Sequence, residues 1–193
     1  MRNLIYIPIV HTEVDMGSMS TSLRKEYLTR YGKEKWRQHT KAIDSMWDGL
    51  CRKIFDLNLP YGKLRIYQDG LPVCGRELEI IREAAEKGSR NHKIVLDLVE
   101  KGARLEGTES PDLLLQEYNN FKKLQGTSNI KMSDDLLIKR DKFIANRIES
   151  TLTEDEIGIL FMGLMHRVDK YLSGIKVSYL IHRLPFKESY EEK

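Results

Sequence analysis

Apolar residues recur along this chain with two periods, and each change of period marks a new element. Residues 4–10 (Leu-Ile-Tyr-Ile-Pro-Ile-Val) are β-branched and aromatic, as a strand requires, and Pro8 predicts an edge position or a bend near its end. From residue 22 to 55 the pattern becomes helical: Ile43, Met46, Trp47, Leu50 and Ile54 fall at i, i+3, i+4, i+7 and i+11, and Gly32 divides the segment into two helices. A turn cluster at 58–62 leads into a second strand, 63–67, that stops at Gln68-Asp69-Gly70. Residues 76–87 form a short helix closed by Gly88, a usual residue just past a helix end.

Residues 92–100 fit either period. The favoured reading is a helix from near Asn91 to Gly102, followed by a short strand at 103–106 and a loop at 107–111. Pro111 opens a helix in its first turn, where its missing N–H is not needed. After a loop at 126–129, Ser133 caps a helix running to Ser150, with Asp134 and Asp135 facing the positive end of its dipole. Residues 157–162 read as a central strand, 168–172 as a helical turn and 176–182 as a last strand. Such alternation predicts an α/β fold, a mostly parallel sheet with helices on both faces and right-handed crossovers. The expected organisation is one compact domain over residues 1–185 with a polar tail at 186–193.

Composition narrows the function classes. The 193 residues are 40% apolar and 32% charged, ordinary for a globular chain, and a net charge of +3 is too small to imply a polyanion partner. No apolar run approaches the roughly 20 residues that cross a bilayer. The first residues read as a strand rather than a signal peptide, so a cytoplasmic location is expected. Cys51 and Cys74 show no metal-binding spacing and are expected to be packing residues. The sequence contains no P-loop, GxGxxG turn or GxSxG elbow, so nucleotide triphosphatases, dinucleotide dehydrogenases and nucleophile-elbow serine hydrolases have no support.

The candidate chemistry lies where the strands end. His11, Glu13 and Asp15 follow the first strand, Gln68 and Asp69 the second, Glu106 and Glu109 the third, and His166 the fourth, through Gly163-x-x-His166. In a parallel sheet these segments open onto one edge, so imidazoles and carboxylates converge without being close in sequence. Two histidines with one or two carboxylates are ligand types of hydrolytic zinc sites. The same groups can equally hydrogen-bond each other and the loop backbone. Arg140 and Asp141 lie early in the helix before the GxxH strand. Arg140 can hold an anion or a carboxylate by two parallel bonds, and Asp141 can orient Arg140 or a histidine. The alternative is a solvated charge run, Lys139-Arg140-Asp141-Lys142.

Arg140-Asp141-x-x-Ile144-Ala145, the apolar strand into Gly163-x-x-His166, and the short helix into Ile175-Lys176-Val177 together resemble the C-terminal signature of the Tiki/TraB (pheromone-shutdown) family and its erythromycin-esterase-like and ChaN-like relatives. The resemblance covers residues 137–181 best. It implies one cleft lined by His11, Asp69, Glu109, Arg140 and His166. The chain departs from the family pattern at the first motif, where Pro8-Ile9-Val10-His11 lacks a glycine, and at Asp69, where relatives commonly carry glutamate.

The expected activity is hydrolysis of a small-molecule or peptide substrate, with His11, Asp69, Glu109 and His166 catalytic and Arg140, Asp141 and Glu13 binding ligand. His11, His166 and Glu109 would hold a divalent metal, zinc or manganese, or one of the histidines would act as general base. One alternative is a non-catalytic protein of the same fold that captures an anionic small molecule through Arg140. Another is a nucleic-acid-associated factor acting through basic residues 24–41, where Tyr27, Tyr31 and Trp36 interleave with seven Lys/Arg and two Glu. The preferred reading of that segment is an amphipathic helix with packed aromatics and solvated lysines, and nucleic acid is not the expected partner. His39 is expected to face solvent, His92 to sit at a helix start and His182 at a strand end. Met46, Trp47, Met162 and Met165 are expected in the core.

Overall fold

A computed structural model describes residues 1–10, Asp15, 20–124 and 134–181. Strands β1 (Arg2–Ile9), β2 (Leu64–Gln68), β3 (Arg104–Glu106), β4 (Ile157–Gly163) and β5 (Ile175–Tyr179) form one sheet in the order β3-β2-β4-β1-β5. Every pairing is parallel. The helices are α1 (Ser20–Asp56), α2 (Glu77–Glu86), α3 (Arg90–Glu100), α4 (Pro111–Leu124) and α5 (Asp134–Thr151). The α/β reading therefore holds, and so does the helical reading of residues 92–100. Ser133, His182, residues 126–129 and the tail at 186–193 lie outside the described residues.

Side-chain alternation along the strands separates two cores. Ile7, Ile9, Ile66, Ile159 and Phe161 pack with Met46, Trp47 and Leu50 of α1, Ile81 of α2 and Ile94, Val95 and Leu98 of α3. On the other face Leu4, Tyr6, Tyr67, Leu160 and Met162 meet Ile144, Ala145 and Ile148 of α5. A parallel sheet is covered on both faces, which is why these strands read as nearly continuous apolar runs. Each buried Ile, Leu or Phe contributes about 1.5–3 kcal/mol against leaving it in water.

One charged residue interrupts the α5 face. Arg65 of β2 donates from Nε and Nη2 to Glu156 at 2.8 and 2.6 Å, and also pairs with Glu106, which Arg147 of α5 reaches at 3.2 Å. This pairing holds the Glu156 carboxyl at about 2, below its ordinary 4.5.

Four expectations are corrected. Pro8 does not mark an edge strand, because β1 lies between β4 and β5. Pairing with β5 ends at Tyr6, however, and Leu180 N donates to Tyr6 O at 2.9 Å, so the donor that Pro8 lacks faces the side beyond the end of β5. His39 is half-buried and stacked on Tyr27 rather than facing solvent. Met165 is 66% exposed while Met162 is fully buried, since strand alternation stops at Gly163. Cys74 is exposed in the loop after β2 and packs in no core.

The order β3-β2-β4-β1-β5 puts a topological switch between β1 and β4. The chain leaves β1 toward β2, across β4, and leaves β4 toward β5, across β1. Ile9 is in register with Gly163, so the two strands end side by side where their connections diverge. Open α/β sheets place ligand sites in that crevice.

Candidate functional site

The site is assembled from three loops and the start of α5. At the end of β2, Asp69 N donates to Phe161 O at 2.9 Å, extending the ladder one residue past the strand. Its side chain then accepts from Gly163 N at 2.9 Å, tying β2 to the end of β4. The loop after β3 is joined to the loop after β2: Leu71 O accepts from Thr108 N and Glu109 N, both at 2.9 Å, and Val73 N donates to Glu109 O at 2.9 Å. Gly107 permits this approach, because a Cβ there would lie 2.7 Å from Val73 Cα and 3.0 Å from Pro72 O. These contacts place Glu109 with no solvent exposure at the carboxyl edge.

Arg140 and Asp141, successive residues of α5, project about 100° apart and serve different partners. Arg140 donates from Nε and Nη2 to the two oxygens of Glu109 at 2.9 and 2.5 Å. Its Nη2 also reaches Asp69 Oδ1 at 3.2 Å and its Nη1 reaches Glu117 of α4 at 2.6 Å. Asp141 accepts from Arg167 N at 2.8 Å and lies 2.5 Å from His166 Nδ1. The far ring nitrogen of His166, Nε2, is 3.7 Å from Asp69 Oδ1. The solvated-charge-run reading of 139–142 therefore fails at its two middle residues, which are 4% and 2% exposed.

Electrostatics follow from this crowding. Burial opposes a charged imidazole at His166, but the Asp141 hydrogen bond and the Asp69 charge outweigh it, and the pKa lies above the ordinary 6.5. Burial pushes Glu109 up from 4.5, and the bonds from Arg140 only partly offset that rise. Arg140 itself, held by three carboxylates, is raised and permanently charged.

Asp69, Glu109 and His166 offer ligand atoms within 4.8 Å of one another, a donor set of hard oxygens and one imidazole that suits a divalent ion. With His166 neutral, as a metal ligand must be, the carboxylates of Asp69, Glu109, Glu117 and Asp141 outnumber the single cation Arg140, so the electrostatics also tolerate such an ion. The competing feature is Arg140, which already engages both Glu109 oxygens and Asp69.

Of the residues expected to form the site, Asp69, Glu109, Arg140, Asp141 and His166 come together. His11 and Glu13 lie outside the described residues. Asp15 has another task, since its buried carboxylate pairs with Ser89 and His92 at the amino end of α3, where a negative charge meets the helix dipole. Two participants gave no signal in the sequence. Glu117 looks like any solvated helix glutamate, and the donor Gly163 N is a backbone group. Comparison with protein-family models, with curated proteins and with solved structures returned no match.

Proposed function

We propose that this chain is a hydrolase whose general base is His166, in a His/carboxylate cleft of the kind that its Arg140-Asp141 and Gly163-x-x-His166 motifs resemble in the Tiki/TraB and erythromycin-esterase-like proteins. The observation that carries this reading is the two-sided setting of the imidazole. Nδ1 is clamped by Asp141 at 2.5 Å, while Nε2 faces Asp69 Oδ1 across 3.7 Å, too far for a direct hydrogen bond, so that a water lying beside the pair can meet both groups.

In this reading Asp141 fixes the tautomer with the proton on Nδ1, so Nε2 is the basic atom. Nε2 takes a proton from the water held against Asp69. The water oxygen then attacks an acyl or phosphoryl centre, and the imidazolium returns its proton to the leaving group. Arg140 does not capture substrate here. Three carboxylates take up its guanidinium, and its work is to hold Asp69 and Glu109 at the cleft.

A metal-assisted version of the same reaction is the second reading, supported by the mutual reach of Asp69, Glu109 and His166. In it these three residues would hold zinc or manganese, which would lower the pKa of a bound water. The substrate is a small molecule or peptide. The test is turnover of a panel of model esters, amides and phosphoesters by the full chain and by His166→Gln, each dialysed against chelator and then supplied with manganese or zinc. Loss of turnover in His166→Gln with none lost on chelation supports the base reading, and loss on chelation restored by metal supports the second. Equal turnover in His166→Gln and wild type would overturn both.

A further inference from the structure

The amino-terminal half of α1 is not part of the core. Its first core residue is Ile43, and before that point the described side chains from Arg24 to Lys41 are exposed or only half-buried. What organises this segment is a reversal at Gly32, whose φ of 80° and ψ of 168° lie in a region essentially reserved for glycine. A straight helix would separate Tyr27 from Trp36 and His39 by about 13 and 18 Å. Instead the ring centroids of Tyr27 lie 5.3 Å from Trp36 and 5.1 Å from His39. The chain folds back on itself, and the aromatics stack on one another rather than on the sheet.

This leaves the cations outside. Residues 24–41 carry seven Lys/Arg and two Glu, in a chain whose total is only +3, so everything else is net acidic. One of the two, Glu34, pairs with Arg37 at 3.1 Å. An open groove of about 450 Å³ runs along the first half of the arm, lined by Arg24, Lys25, Leu28, Thr29 and Lys33. At its tip Tyr31 is 52% exposed, with the Arg30 guanidinium 5.6 Å from its ring centroid.

We propose that this arm is a docking surface for single-stranded nucleic acid. Three cations, Arg24, Lys25 and Lys33, line the groove and can pair with successive phosphates, and Tyr31, packed by Tyr27 at 4.8 Å and Arg30 at 5.6 Å yet still 52% exposed, leaves aromatic surface on which an unpaired base can stack. The strong local excess of positive charge, set against an acidic remainder, selects a polyanion and orients it on the arm. This rests on α1 alone and is independent of the site at the carboxyl edge.

The experiment is fluorescence anisotropy of the full chain with a labelled single strand of about 20 nucleotides, a duplex of equal length, and anionic vesicles as competitor. If about three phosphates are contacted, affinity for the single strand should fall about 20-fold between roughly 50 and 200 mM salt. The triple variant Arg30→Glu/Lys33→Glu/Lys35→Glu should bind at least about tenfold more weakly, whereas Lys33→Arg/Lys35→Arg should bind like wild type. Tyr31→Ala should weaken the single strand about fivefold or more and leave duplex affinity unchanged. Circular dichroism of each variant confirms that it is folded. No binding at low salt, undiminished binding by the folded triple variant, equal losses on single strand and duplex in Tyr31→Ala, or binding to vesicles alone would each overturn the proposal.

Discussion

His166 Nδ1 lies 2.5 Å from Asp141 Oδ1, and the other oxygen of that carboxylate accepts the backbone N–H of Arg167 at 2.8 Å. One side chain of α5 thereby fixes both the ring and the turn that carries it. The turn is short, with His166 N donating to Gly163 O at 3.1 Å, and the two residues before the histidine are exposed. The imidazole is thus rigidly oriented one residue away from solvent.

The pH dependence of turnover follows from this pair. A general base must be neutral, and His166 has its pKa raised above 6.5. Activity should therefore rise along an acidic limb whose midpoint lies above 6.5. In Asp141→Asn the charge that favours imidazolium is gone while burial still opposes it, so the limb should move to lower pH and kcat should drop by about 10²-fold. A pH–rate profile, with an NMR titration of the His166 ring, reads both. An unmoved midpoint would remove Asp141 from its positioning role.

Arg140 ties three carboxylates from three elements, and its geometry rather than its charge does so. Arg140→Lys keeps the charge but loses the two parallel bonds to Glu109, which predicts a loss of about 1–3 kcal/mol in urea denaturation. Arg140→Ala leaves buried carboxylates without their cation and should cost about 3–5 kcal/mol. Changes below about 0.5 kcal/mol for both would mean that the guanidinium is solvated.

The convergence of Asp69, Glu109, Arg140, Asp141 and His166 was legible in part: the shared strand direction of a parallel sheet brings the first two and His166 to one edge, whereas Arg140 and Asp141 read equally as a solvated charge run. Asp69, Glu109 and His166 follow strands, and Arg140 and Asp141 interrupt the apolar stripe of α5 at buried positions. Glu117 was illegible because it reaches the cluster from a helix surface and its spacing is that of any exposed glutamate. Arg65 did leave a signal, a charge in the middle of a strand buried on both faces, and such a residue must find a partner. Sheet order was hidden for a different reason. Local periodicity says nothing of β4 entering between β2 and β1, an insertion set by long-range packing. The kink at Gly32 was legible, but the ring stacking it allows across nine and twelve residues was not.

Two buried carboxyls titrate in opposite senses. Glu109 is raised above 4.5, so the stability it gives is complete at low pH and is lost as pH climbs through its folded value. Glu156 is lowered to about 2, so its contribution is present above 4.5 and is lost as pH falls toward 2. Denaturation series across pH should thus show Glu109→Gln losing less stability than wild type as pH rises above 4.5, and Glu156→Gln losing less than wild type below about pH 4.5. Parallel curves for wild type and either variant would refute the corresponding assignment.

Gly107 offers the sharpest test of how the site is positioned, because it touches none of the reacting groups. Its backbone is not in a glycine-only conformation; what forbids a side chain is the backbone of Val73 and Pro72, at 2.7 and 3.0 Å from the added Cβ. Backbone cannot rotate aside, so Gly107→Ala must push the two loops apart, at about 1–3 kcal/mol. That separation stretches the bonds from Thr108 N and Glu109 N to Leu71 O and draws Glu109 away from Arg140. Gly62 is the matched control, since nothing lies within 4 Å of its added Cβ and its φ is not positive. Gly62→Ala should change stability by less than about 0.5 kcal/mol and leave turnover intact, whereas Gly107→Ala should lower both the melting temperature and kcat. If the two variants melt and turn over alike, the joined loops do not set the position of Glu109.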